Sequence, residues 1–93
     1  MVSQDDKITF MTCIEIALMK RGNADNILIQ ARLDALYNCE INYCADHPEY
    51  LRTVLREVYP EEYDLVLGEM RAETEKLVDM DQFKDNFFKI MKS

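Results

Sequence analysis

The chain has 93 residues, 48% of them hydrophobic and 31% charged, with only 2 glycines and 2 prolines and a formal net charge of −7. That length accommodates one domain of modest stability, and the composition argues against disorder, collagen-like repeats and most β-sandwiches. With 18 acids against 11 bases, a nucleic-acid backbone or an anionic membrane surface is disfavoured as the main partner.

The first ten residues, MVSQDDKITF, place two acids ahead of the first base, the reverse of a secretory leader. The longest apolar runs, Ile16 to Met19 and Ile27 to Ile29, fall far short of the roughly 20 residues that span a bilayer. Ser3 reads as the N-cap of a first helix over 4–21, with Asp5 and Asp6 at its positive end and Lys20 and Arg21 at its negative end. Gly22 is expected to close it in a left-handed conformation. Ile8, Met11, Ile14 and Leu18 form one stripe, which Phe10, Cys13 and Ala17 widen, so this helix is expected at the centre. Asn23 then caps a second helix over 24–39, with Ile27, Leu28, Ala31, Ala35 and Leu36 read as inward and Ile29, Leu33 and Tyr37 as a second stripe.

An aperiodic stretch, Glu40 to His47, separates this from a third helix over 48–59, capped by Asp46 or His47 and opened by Pro48. Pro60 ends it and is expected to open a fourth helix over 60–78, buried through Tyr63, Val66, Leu67, Met70 and Leu77, with Gly68 permitting close packing. A capping box from Asp79 to Gln82 starts the last helix over 80–92, whose inner side carries Phe83, Phe87, Ile90 and Met91, extended by Phe88. Five short helices without a strand predict a single all-α domain over 1–93, a bundle of four to five helices.

Few groups carry chemistry. Cys39, Cys44 and His47 resemble metal ligands, but C-x4-C-x2-H matches no common zinc spacing and lacks a fourth ligand, so no metal and no cofactor are expected. Three cysteines cannot all pair within one chain, which favours a reducing cytoplasm. Cys13 lies mid-helix among apolar residues, as thiols do when they serve as small hydrophobes. The pairs Glu69 and Glu73, and Glu57 and Glu61, stand four apart without a companion histidine and read as solvated faces. No phosphate loop or nucleophile elbow is present, and no catalytic residue is expected.

Five tyrosines and no tryptophan fall between positions 37 and 63, an aromatic cluster of the kind that serves contact surfaces with one packed and one wet side. Tyr43, Tyr50, Tyr59 and Tyr63 are the predicted partner surface. In their order, the helix ending in Leu18, Met19 and Gly22, the His47-Pro48-Glu49-Tyr50 opening, the V-L-R-E-V-Y turn and the helix bearing Gly68 to Met70 resemble the small helical Nitrosopumilus output domain of ammonia-oxidising archaea, over roughly 10–78. The resemblance implies a non-catalytic regulatory module of signalling or transcription-related proteins. Pro60, the Cys- and Tyr-bearing gap and the last helix depart from it. The expected role is therefore protein–protein contact or self-association, a homodimer included, in cytoplasmic signalling. A thiol or metal sensor using Cys39, Cys44 and His47 is the alternative, and a DNA-associated regulator is disfavoured by the acidic charge.

Overall fold

Ser3 opens the first helix by a reciprocal cap: its hydroxyl accepts from the Asp6 N–H, and the Asp6 carboxylate accepts from the Ser3 N–H, each at 3.1 Å. The computed structural model describes residues 2–93, and among these no strand occurs. The helices are α1 (Gln4–Arg21), α2 (Asn23–Tyr37), α3 (Pro48–Val58), α4 (Tyr63–Thr74) and α5 (Asp81–Lys92), with a 3-10 helix at Ile41–Ala45 between α2 and α3. The all-α bundle read from the sequence is the architecture found. Its radius of gyration is 12.2 Å, close to the ~12 Å expected for a compact chain of this length.

α1 packs against α2, α4 and the 3-10 helix, α2 against α3, and α5 against both α3 and α4. Phe10, fully buried on α1, meets the rings of Phe83, Phe87 and Phe88 edge-on at 5.1, 4.9 and 6.1 Å. This aromatic knot ties the last helix to the first, so α5 covers the chain's own core. Polar clamps fix its C-terminal end. Arg52 donates to the Ile90 carbonyl at 2.9 Å, Arg56 to the Ser93 carbonyl at 2.7 Å, and the Tyr63 hydroxyl to the Met91 carbonyl at 2.5 Å. The Ile90 carbonyl also accepts from the Ser93 N–H and hydroxyl, so these donors from α3 and α4 reinforce the local cap at the helix end.

Several local expectations are corrected. Gly22 has φ 172° and ψ 126°, an extended joint and not a left-handed one, and it supplies the N-cap position of α2 in place of Asn23. The inward face of α2 is the stripe of Ile29 and Leu33, both fully buried, whereas Ile27, Leu28 and Leu36 are 63%, 47% and 48% exposed. Ile8 and Ile90 also lie toward solvent. α2 stops at Tyr37 because Asn38 turns left-handed (φ 52°). Pro60 lies in a turn over 60–62 and α4 begins only at Tyr63. α4 ends at Thr74, so Leu77 lies beyond it, and Asp79 sits at φ 62° outside the cap, which Met80 occupies without a side-chain hydrogen bond.

Gly68 faces solvent, and a Cβ built on it would meet nothing within 4 Å. Close packing is therefore not its role. Gly68→Ala is expected to stabilise the protein by about 0.5–1 kcal/mol, because alanine loses less backbone entropy in a helix. Thermal denaturation checks this; a midpoint that falls would reveal a contact made by the glycine.

Candidate functional site

Residues 37–50 form the most distinctive surface. α2 ends at Tyr37, the left-handed Asn38 redirects the chain, and the 3-10 helix delivers Tyr43 beside the start of α3. Pro48 at the first helical position sets α3 so that His47 and Tyr50 project to the same side. Four rings then stack nearly parallel. Tyr37 lies on Tyr50 at 4.1 Å and 9°, Tyr50 on His47 at 5.0 Å and 9°, and His47 on Tyr43 at 4.7 Å and 14°. Each such contact contributes about 0.5–1.5 kcal/mol beyond its buried area, so the rings support one another. His47 Nδ1 lies 3.2 Å from Glu49 Oε2, fixing the imidazole in its layer. Removal of water within the stack raises the Tyr50 phenol pKa, with the Tyr43 hydroxyl and Glu49 adding to it.

An open groove of about 560 Å³ runs beside the ladder, lined by Gln4, Tyr37, Asn38, Glu40, Tyr43 and Asp46 among others. Its polar rim is acidic and amide-bearing; Asp46 is held by Lys7 at 2.7 Å, and Glu40 faces solvent. A second depression of about 500 Å³ lies between α1 and α4 and is lined by ion pairs, although the buried Arg21 Nε has no hydrogen-bond partner among the described residues. Arg21 binds Glu69 at 2.6 Å and also pairs with Glu62, and Lys20 pairs with Glu73.

The predicted partner tyrosines divide. Tyr43 is 54% exposed and Tyr50 half-buried in the ladder, but Tyr59 and Tyr63 are each only 7% exposed and belong to the core. The reason is polar satisfaction inside. The Tyr59 hydroxyl donates to Asp25 at 3.0 Å under the Arg21 guanidinium, and Tyr63 donates to Met91 under that of Arg56. Tyr37 takes their place at the surface. Its spacing of four from Leu33 and eight from Ile29 marks it as the margin of a core stripe, which was the available signal.

Cys39 and Cys44 lie side by side, but His47 turns its ring into the ladder, so the three do not converge. Among the described residues no three His, Cys, Asp or Glu side chains gather as a metal site. Burial, with the adjacent Cys39, pushes the Cys44 thiol up to about 12. Burial raises Cys39 as well. Both shifts suppress the thiolate, which is the reactive form. Cys13 is buried on α1.

The fold and this surface define a small acidic helical bundle that displays a stacked aromatic ladder. Compared with known proteins, the chain matches no family model, no curated protein and no solved structure. Among the described residues no helix is long and apolar enough to cross a membrane.

Proposed function

We propose that the protein is a non-catalytic interaction module of cytoplasmic regulation, and that its contact surface is the ladder of Tyr37, Tyr43, His47 and Tyr50 with the acidic groove beside it. The observation that carries this reading is the ladder itself, four stacked rings at the surface ending in a Tyr43 that is 54% exposed. Rings already fixed by stacking lose little freedom when a partner docks, so their contact area converts efficiently into affinity. The partner chemistry follows from the rim. Inside the molecule Arg21 and Arg56 already cover the faces of Tyr59 and Tyr63 at 5.1 and 5.0 Å. A protein segment bearing arginine or lysine would make the same contact with Tyr43 and meet Glu40, whereas Asp46 is already held by Lys7. The likeness to the Nitrosopumilus output domain supports a regulatory setting and belongs to this proposal.

The test is affinity capture with cross-linking, comparing the wild type with Tyr43→Ala and Tyr50→Ala. Tyr43→Ala is expected to leave the fold intact and to weaken partner capture roughly tenfold, as loss of an interface tyrosine does. Partners held equally well by both folded variants would overturn the assignment.

A further inference from the structure

α2 carries two apolar faces, and the fold uses one. At about 100° per residue, Ile29 and Leu33 fall on one side. Ala24, Ile27, Leu28, Ala31 and Ala35 share a band on the opposite side. All five are exposed, Ile27 at 63% and Leu28 at 47%. A solvated helix face is ordinarily polar. We propose that this band is a self-association surface, on which α2 of a second copy lies antiparallel about a two-fold axis. The proposal concerns a face apart from the tyrosine ladder and does not depend on it.

The charges beside the band argue for a second copy as the occupant. Asp25 and Arg32 lie on the edge of α2 that faces α3: Asp25 accepts from Tyr59 just after α3, and Arg32 pairs with Glu57 on α3. A two-fold antiparallel pairing sets each edge against the same edge of the copy in reverse order. Asp25 and Arg32 are centred on the peptide between Leu28 and Ile29, and so are Asn23 and Asp34 on the other edge. One register therefore sets Asp25 against the copy's Arg32 twice, and Asn23 against the copy's Asp34 twice. In that register the two Leu28 side chains meet at the axis. Each Ala31 falls between Ala24 and Leu28 of the other copy, where its small size lets the backbones approach. Coincidence of both polar registers with the apolar one is what a self-complementary surface requires.

A single helix pair lies near or below the roughly 1,200 Å² of stable interfaces, and each copy carries −7. The dimer is accordingly weak, with a dissociation constant of about 10–100 µM that tightens with salt.

Sedimentation equilibrium on the full chain from about 5 to about 500 µM spans that range. The average mass of the wild type is expected to rise with concentration toward twice the chain mass, and Ala31→Glu, an exposed change, to remain monomeric. Asp25→Arg and Arg32→Asp are each expected to weaken association roughly fivefold or more, and the double swap to restore it to within about twofold. Folding cannot supply that recovery, because the double swap opposes the internal partners Tyr59 and Glu57 no less than the single changes do. Thermal midpoints confirm that each variant is folded. A wild type monomeric throughout overturns the proposal, as does a dimer that persists in Ala31→Glu or a double swap that fails to recover.

Discussion

Phe10→Ala is expected to cost about 3–5 kcal/mol, a large share of the roughly 5–15 kcal/mol that holds a small domain folded. Phe10 is fully buried, and among the described residues its ring alone touches Phe83, Phe87 and Phe88 together. Truncation would remove three edge-to-face contacts at once and leave a void between α1 and α5. The neighbouring rings are themselves packed, Phe87 against Phe88 at 5.2 Å, so collapse into the space is restricted. Thermal unfolding should show the midpoint falling by at least about 12 °C. Leu65→Ala, at a side chain 59% exposed, serves as the comparison and should stay within about 0.5 kcal/mol of wild type. A Phe10→Ala protein nearly as stable as that control would mean the two ends of the chain are not joined through this knot.

The second large effect is alkaline. Cys44 is fully buried, and its thiol, ordinarily near 9.0, is held up to about 12 in the folded protein. Between those values the folded state keeps a proton that the unfolded chain releases, so stability falls as pH rises. The slope from this group is about 1.4 kcal/mol per pH unit, or about 4 kcal/mol across the interval. Burial raises the Tyr59 and Tyr63 phenols too, and their ionisation on unfolding adds to the loss in the same direction. Urea denaturation at intervals from about pH 7 to about pH 11 should show little contribution from these groups below pH 9 and then a steep decline. Cys44→Ala should remove the largest share of the first part of that decline and leave what the raised Cys39 thiol and the tyrosines contribute. A wild-type midpoint unchanged to pH 11 would contradict the burial of these groups.

How far the sequence could be read depended on whether one physical signal dominated. α1 was legible to its ends because the Ser3 cap, the acidic first turn and the basic last turn agree with a broad apolar face. The start of α3 was legible for a similar reason, since Pro48 fits the first helical position. α2 was misread because its two faces are equally apolar, and periodicity alone does not say which one a fold buries. Ile29 and Leu33 lie wholly within the core of a helix that packs on α1 and α3, whereas the side with Ile27 and Leu28 meets solvent. Pro60 suits a turn as well as a helix start, and the distinction lay in tertiary packing of Tyr63. Likewise, composition marked the tyrosine cluster as unusual but carried no information on which hydroxyls find partners inside. Asp25 and the Met91 carbonyl decide that, with Arg21 over the Tyr59 ring, and all three are distant in sequence from the rings they serve.

The joining of α1 to α5 through Phe10 also sets an order in time. Phe87 is added to the growing chain roughly 75 residues after Phe10, which at about 5–20 residues per second is an interval of about 4–15 s. Throughout it the broad apolar side of α1 has α2, then the 3-10 helix and then α4 to cover it, and the Phe10 position stays open. The nascent chain is thus sticky at this position until α5 is made, and that helix acts as the stopper that ends the exposure.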